Sequence, residues 1–320
     1  MRPGPATCSL QDSDSDSSFR GVTSARDRFF AFRRTVPHPP RLERQTVRAR
    51  GLAFAVWSSP PVGHAPPLFC VNGGLVVDHA MLWPALSPLA AGRQLILYDQ
   101  RGRGASQPPA DPAAARIDDD AADIPALRRA LGIRQWDLLG HSWGGGIAML
   151  AASHDAVGVR RLVLVDAVGP TSAWMAPLRR EALARANPDD RAVLAGITDE
   201  MLGAPDPEVH LAHLRASYEP WFVDRAFAST FPMPKTASPT GSAVLARLRR
   251  EGYDWRDAVR RIAAPTLVLH GDGDALDPAI AGELAAAIPR ARAAILPHSG
   301  HFPFWEAPAE FFAAVTAFLD

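Results

Sequence analysis

Short, continuous apolar runs recur along this sequence, and each ends in glycines or in polar or charged residues. They lie in "PLFCVNGG", "RQLILYDQRGRGAS", "QWDLLGHS", "RRLVLVDAVG", "PTLVLHGD" and "ARAAILPHSGH". Continuous apolar runs indicate strands buried on both faces, whereas strict alternation would indicate strands with one face in water. Helical segments separate several of the runs. This order predicts an α/β fold, with a mostly parallel central sheet and helices on both faces.

Changes in composition suggest boundaries along the chain. Residues 1–25 are rich in Ser and Asp, and we expect them to be disordered because they cannot bury enough apolar surface. Residues 26–44 form an N-terminal arm, whose phenylalanines could dock on the body of the protein or on a partner. Residues 45–169 and 265–320 carry the strand runs and predict one core. Residues 170–264 look helical and interrupt the alternation, which predicts an inserted helical cap.

Two local patterns support this architecture. The segment "RLERQTVRARGLAFAVWSSP" predicts two strands that turn at Arg50-Gly51. Residues 118–131 and 143–153 predict helices, and "APAEFFAAVTAFLD" predicts a closing helix. The loops that follow parallel strands meet at one edge of a sheet, which is where such folds bind ligands. Residues in these loops are therefore the candidates for a functional site.

Composition and charge limit the classes of partner. Lys+Arg and Asp+Glu both number 34 in 320 residues, and no basic block with interleaved aromatics occurs, which disfavours nucleic acid. No run of about 18 apolar residues predicts a membrane span, and the N-terminus lacks the apolar segment of a signal peptide. We therefore expect a cytoplasmic protein without a metal or cofactor that acts on a small molecule or short peptide. The two cysteines predict no disulfide framework, and oligomeric state cannot be inferred.

Ser142 stands between two glycines in "LLGHSWGGG", at the spacing Gly140-x-Ser142-x-Gly144. A strand run precedes it and a helical segment follows it. A nucleophilic serine held in a sharp strand-to-helix turn needs small residues at these two positions, because the backbone passes close to its neighbours. The alternative is a structural glycine turn or a phosphate loop, but neither phosphate-binding pattern is complete here. The context therefore predicts that Ser142 is a nucleophile.

A serine hydroxyl needs a base, and the base needs an acid that orients it. In this architecture the acid and then the histidine follow the serine in the chain. The loop "VLHGDGDALDP" offers Asp272, Asp274 and Asp277. Asp274 is favoured because Gly271-x-x-Asp274 places it in a tight loop just past a strand; the other two fit turn or helix-cap roles. In "LPHSGH", His301 is favoured over His298, because Gly300 allows a close approach.

The reaction also creates an oxyanion, which backbone N–H groups must meet. One donor is expected from Trp143, the residue after the nucleophile. The second is expected from the loop "VNGGLVVDH", where Gly74 is preferred and Gly73 is the alternative. His141 is expected to pack under the turn rather than to act as the base.

Over roughly residues 45–320 the sequence resembles the α/β-hydrolase superfamily. Its "LYDQRGRGAS" is similar to the Y-D-Q-R-G-x-G-x-S loop of the proline iminopeptidase branch, and "GHSWGG" is similar to that branch's elbow. The resemblance implies an α/β-hydrolase fold and a serine aminopeptidase for small peptides or amides with N-terminal proline or a similar residue. The chain has "NGGLV" in place of H-G-G-P-G, and its cap lacks the branch's Trp-x-x-Trp-Glu motif.

An aminopeptidase must pair the substrate's ammonium group with a carboxylate. Glu219 is the candidate for this role, with Trp221 as a wall of a small pocket. If Glu219 is instead a solvated charge beside an apolar pocket, the alternative is a carboxylesterase or lactonase for small neutral esters. A third hypothesis, from a different class, is a non-catalytic binding protein, which has no need of a complete Ser-Asp-His set.

Overall fold

The computed structural model describes residues 24–231 and 233–320. Disorder is expected for residues 1–25, but all of this segment except Ser24 and Ala25 lies outside the described residues. The described residues form one sheet from the strands β1 Glu43–Ala49, β2 Leu52–Ser58, β3 Leu68–Val71, β4 Leu95–Tyr98, β5 Trp136–His141, β6 Val159–Val165, β7 Thr266–Gly271 and β8 Ala291–Leu296.

The strand order is β1-β2-β4-β3-β5-β6-β7-β8. Strand β2 runs antiparallel to β1 and β4, and the other neighbouring pairs are parallel. The predicted mostly parallel sheet is thus confirmed. The predicted hairpin also forms, since Arg50 and Gly51 both have positive φ (46° and 78°), as a two-residue turn between twisted strands requires.

Helices cover both faces of the sheet. The helices of the described residues are α1 Ala25–Arg33, α2 Ile117–Ala130, α3 Trp143–His154, α4 Met175–Arg185, α5 Pro188–Gly196, α6 Asp199–Gly203, α7 Pro207–Ala216, α8 Arg225–Ala228, α9 Pro239–Glu251, α10 Arg256–Arg260, α11 Ala279–Ala287, α12 Pro303–Glu306 and α13 Pro308–Leu319. None of the helices in the described residues is long and apolar enough to cross a bilayer.

Strand β3 shows why the sheet needs cover on both sides. Phe69 and Val71 belong to a core shared with helices α2, α3 and α11, whereas Leu68 and Cys70 belong to a second core shared with α13. All four residues are buried. Since successive side chains of a strand point to opposite faces, a continuous apolar run fits only between two helical layers.

The N-terminal arm packs on the body of the protein, starting with a helix that the sequence did not predict. Ala25 at the start of α1 is buried. Phe32 stacks on Phe312 of α13 with ring centroids 5.3 Å apart, and Phe29 lies 5.5 Å from Phe231. These contacts answer the question that the sequence left open for Phe29 and Phe32. Phe30 remains 40% exposed.

Candidate active site

Ser142 lies at the junction of β5 and α3 with φ 56° and ψ −124°, a conformation that non-glycine residues rarely adopt. A Cβ atom at Gly140 would lie 2.4 Å from the Gly144 carbonyl oxygen, and one at Gly144 would lie 2.2 Å from the Val71 carbonyl oxygen. Both contacts are with backbone and cannot be relieved by a rotamer change. The two glycines therefore allow the close packing that holds the serine in this turn.

Asp274 and His301 meet where the loops after β7 and β8 come together. The distance from His301 Nδ1 to Asp274 Oδ2 is 2.8 Å, and both side chains are buried. Burial favours the neutral acid, but the electrostatic effect of the neighbouring His301 and the hydrogen bonds from His270 and His301 outweigh it. Together they hold the pKa of Asp274 well below its usual range.

The other candidates for the acid and the base are all exposed. Asp272 is exposed and accepts a hydrogen bond from the Ser299 backbone N–H. Asp277 is exposed and caps a turn through the Ala279 N–H. His298 is exposed.

Ser142 and His301 line one cavity. A hydrogen bond between Ser142 Oγ and His301 Nε2 is not formed in the described part of the chain. Such bonds often tighten only in the substrate complex, so the two side chains remain candidates for nucleophile and base.

The loop that carries His301 is tied to the segment containing Trp221. The His301 N–H donates to the Trp221 carbonyl oxygen over 2.8 Å, and the two rings lie 4.0 Å apart. A Cβ atom at Gly300 would lie 2.2 Å from the same carbonyl oxygen. Glu306, which the sequence analysis missed, accepts a hydrogen bond of 2.7 Å from the Gly300 N–H. In the sequence, Glu306 is the single carboxylate of the apolar segment "FPFWEAP".

The predicted oxyanion donors Gly74 and Trp143 both line the cavity. The Trp143 N–H is the first of α3 and has no acceptor within the helix. The loop passes directly against the nucleophile, since a Cβ at Gly73 would lie 2.6 Å from the Ser142 Cβ. The Asn72 side chain fixes this loop by donating to the Gly73 carbonyl oxygen.

His141 packs beneath the turn, as expected from the sequence. Its Nε2–H donates to the His301 carbonyl oxygen over 2.8 Å. Burial lowers the pKa of His141 to about 3, and the neighbouring His301 adds to this effect. The neutral ring therefore supports the His301 loop without placing a charge beside it.

A second buried histidine, which the sequence did not predict, lies behind Asp274. His270 Nε2 lies 3.2 Å from Asp274 Oδ2 and 2.9 Å from the Leu276 carbonyl oxygen. Burial opposes a charge on His270, but Asp166 and Asp274 outweigh it and raise the pKa to about 9. Asp166 itself accepts from the Gly271 N–H over 2.8 Å. In the sequence, His270 and Asp166 are recognisable only as polar residues at the ends of two apolar strand runs.

Among the described residues, two groups of side chains have ligand atoms close enough to hold a metal ion, Asp78 with His79 and Asp99, and Asp166 with Asp274 and His301. In the second group the carboxylates already accept hydrogen bonds from His301 and from the backbone. This arrangement is that of a hydrogen-bond network that orients an imidazole.

The cavity above Ser142 has a volume of about 90 Å³ and mainly apolar walls, including Val76, Trp174 and Leu245. Trp221 lines it, as the sequence analysis proposed, but Glu219 does not. The Glu219 carboxylate instead accepts a hydrogen bond of 2.6 Å from the Asn187 side chain. Among the described residues, no Asp or Glu lines this cavity, and its lining includes the cation Arg249.

A serine in a strand-to-helix turn, followed in the chain by an Asp-His pair at the same edge of a mostly parallel sheet, defines the class of α/β-hydrolase folds. The sequence profile of the alpha/beta hydrolase fold family matches residues 66–308, and the chain belongs to this family.

Particular relatives place the chain within this family. A proline iminopeptidase of Levilactobacillus brevis is 27% identical over 270 residues, which cover 79% of this chain and 88% of the relative. A proline iminopeptidase structure from Mycobacterium smegmatis superimposes with a TM-score of 0.66 at 24% identity, covering 87% of this chain and 97% of that one. The enol-lactonase from Burkholderia xenovorans gives 0.62 at 23% identity, covering 86% and 99%. These comparisons confirm the resemblance to the family and to its proline iminopeptidase-like branch.

Proposed function

We propose that this protein is a serine hydrolase that cleaves small carboxylic esters or lactones by acyl transfer. Ser142 is the nucleophile, His301 is the base and Asp274 orients it. The N–H groups of Gly74 and Trp143 stabilise the oxyanion. The proposal is supported by the Asp274–His301 hydrogen bond and by the cavity that these groups share with Ser142.

The proposed reaction has two acyl-transfer steps. His301 Nε2 takes the hydroxyl proton as Ser142 Oγ attacks the ester carbonyl carbon, and then gives that proton to the leaving alcohol. His301 takes a proton from the water that attacks the acyl carbon, the bond between that carbon and Ser142 Oγ breaks, and His301 returns the proton to Oγ as the carboxylic acid leaves. Asp274 accepts the Nδ1–H throughout, which keeps Nε2 free to accept a proton and stabilises the imidazolium ion.

The residues that line the cavity favour an ester over a substrate with a free ammonium group. An aminopeptidase must compensate for removing an ammonium group from water, and this requires a carboxylate or similar acceptor. None of the described residues supplies one to the cavity, and Glu219 is bound to Asn187 outside it. An ester has no ammonium group to compensate. The relatedness to proline iminopeptidases keeps aminopeptidase activity as the second candidate.

The size of the cavity restricts the acyl group. A volume of about 90 Å³ is smaller than the roughly 150 Å³ of a protein cavity that accommodates benzene. We therefore expect acetyl and butyryl esters to react faster than octanoyl esters.

The test is a panel of p-nitrophenyl esters set against proline p-nitroanilide and its N-acetylated form. We expect turnover of short esters and none of either anilide. Ser142→Ala should lose on the order of 10⁴-fold in kcat and should no longer react with a fluorophosphonate label. Glu219→Gln serves as the control and should leave the ester KM unchanged.

Two results would contradict the proposal. Cleavage of the free anilide but not the acetylated one, with a steep rise in KM in Glu219→Gln, would establish an aminopeptidase. Activity of Ser142→Ala within tenfold of wild type would exclude the serine as nucleophile.

A further inference from the structure

Two arginines from different helices line a small cavity that adjoins the cavity above Ser142. Arg179 of α4 and Arg249 of α9 both line a smaller cavity of about 20 Å³. It adjoins the larger one, because Trp174, His213 and Trp221 line both. Both arginines thus line a space that continues to the proposed nucleophile.

The hydrogen bonding of these arginines is incomplete. Within the described part of the chain, the Arg249 guanidinium makes no hydrogen bond or ion pair, and its buried Nε has no acceptor. Arg179 donates to the Ile197 carbonyl oxygen, and its Nε lies 3.7 Å from a carboxylate oxygen of Asp199, whose side chain is 86% exposed. The buried Nη1 of Arg179 finds no acceptor among the residues that the structure describes. Buried donors without acceptors are costly and uncommon, which suggests that a ligand completes them.

The charges of the two arginines are compensated only in part, by the exposed Asp199. Burial lowers the pKa of Arg249 to about 10 with a further contribution from Arg179, so it stays charged at neutral pH. Burial and the same two arginines lower the pKa of His213 to about 3, and burial also lowers that of His210. Both imidazoles are therefore neutral at pH 7. No carboxylate of the described residues lines either cavity.

We propose that Arg179 and Arg249 form an anion-binding subsite that takes a carboxylate carried by the acyl part of the substrate. Guanidinium groups are planar donors that match a carboxylate in geometry. A volume of about 20 Å³ corresponds to one or two water-sized spheres, which suits a carboxylate better than a bulkier phosphate. Hydrolysis of a substrate bound at this subsite rests on the proposed function of Ser142.

The substrate class that follows is a half-ester of a short dicarboxylic acid. Its carboxylate would lie at the arginines and its ester carbonyl at Ser142. The methylene chain between them would pass the apolar walls that include Trp174 and Leu178. This arrangement also explains why a cavity without carboxylates carries cationic groups at one end.

The kinetic test compares monoethyl succinate, glutarate and adipate with the matched ester-amides, in which a carboxamide replaces the carboxylate. Released acid is measured by chromatography. For at least one chain length, wild-type kcat/KM should favour the half-ester over its ester-amide by tenfold or more. Arg249→Met should reduce this ratio at least tenfold, and Arg249→Lys should reduce it less. The control is Arg180→Met, because Arg180 is the exposed neighbour of Arg179 on α4 and lines neither cavity.

A binding test separates the subsite from the proposed chemistry. Calorimetry on Ser142→Ala should show adipate binding at least tenfold more tightly than adipamide, and Arg249→Met in that background should abolish the difference. If Arg249→Met does not fold by circular dichroism, Arg179→Met takes its place.

Carboxylate-selective binding without turnover of any ester would support the subsite and refute the proposed function. Ester turnover with equal ratios in wild type, Arg249→Met and Arg180→Met, and without selective binding, would refute the subsite and leave the proposed function standing.

Discussion

Gly300 provides a sharp test of how the candidate base is positioned, because the residue lies directly before His301. Its φ is not in the left-handed region, so alanine can adopt the same backbone conformation. The obstacle to alanine is space. An added Cβ would lie 2.2 Å from the Trp221 carbonyl oxygen and 3.1 Å from a Glu306 carboxylate oxygen. The first neighbour is backbone and already accepts the His301 N–H, so it cannot swing away.

The size of the expected effect follows from this contact. Relieving a 2.2 Å contact to an ordinary separation requires a shift of about 1 Å, and a misplacement of this size costs about 10²-fold in rate. Overpacking of this kind typically costs about 1–3 kcal/mol of stability. We therefore expect Gly300→Ala to lower kcat on short esters about 100-fold and to lower Tm by a few degrees.

Gly282→Ala is the matched control, because Gly282 lies within α11 and a Cβ there would meet no atom of residues 24–231 or 233–320 within 4 Å. Alanine in a helix interior is more favourable than glycine by roughly 0.5–1 kcal/mol, so this variant should keep full activity and a slightly higher Tm. Esterase kinetics and thermal unfolding are measured on both proteins. If Gly300→Ala keeps activity within threefold of Gly282→Ala, the close approach does not position His301.

Three further predictions address the acid, the N-terminal arm and the dependence of stability on pH. Asp274→Asn should lower kcat on short esters by about 10⁴-fold through the wrong imidazole tautomer, whereas Asp272→Asn should stay within a few-fold; greater damage in the latter would reverse the assignment. Deleting residues 1–23 should leave Tm nearly unchanged, because their Ser- and Asp-rich composition cannot bury apolar area. Deleting residues 1–33 should lower Tm, because it removes the ring contacts of α1; equal Tm values would contradict this packing. Burial raises the pKa of Glu306 to about 7 from its ordinary 4.5, so the folded protein holds this proton more tightly than the unfolded chain. Its contribution to the free energy of unfolding should therefore fall by up to about 3 kcal/mol between pH 4.5 and 7. Urea unfolding measures the free energy of unfolding of wild type and of Glu306→Gln at pH 5 and 8. The difference in this free energy between the two proteins should change from one pH to the other, and a constant difference would contradict the prediction.

The architecture of the core could be predicted from local sequence patterns. The run "LFCV" is apolar at every position, and β3 indeed contributes Phe69 to one core and Cys70 to the other. Such a run is stable only between two helical layers, so the sheet and its cover follow from the pattern itself. The helix α1 escaped prediction because its phenylalanines gain their burial from α13 and α8, which are distant in the chain.

The candidate catalytic residues were also within reach of the sequence, because parallel strands bring their carboxyl-end loops to one edge. A strand run, a spacing of glycines and the chain order were sufficient to choose Ser142, Asp274 and His301 for testing. The structure adds the 2.8 Å hydrogen bond between the last two. It also adds His270 behind the acid, which the sequence showed only as a polar residue within a strand.

The lining of the cavity was decided by the tertiary structure alone. The sequence placed Glu219 beside the aromatic residues of a possible ammonium pocket, but the fold turns its carboxylate to Asn187. Arg179 and Arg249 are 70 positions apart in the chain, and neither stood out among the arginines of the segment. A polar side chain on a short surface helix can face water or a cavity with little change in local pattern. The choice depends on how that helix packs against others, and this packing is set by contacts between residues far apart in the sequence.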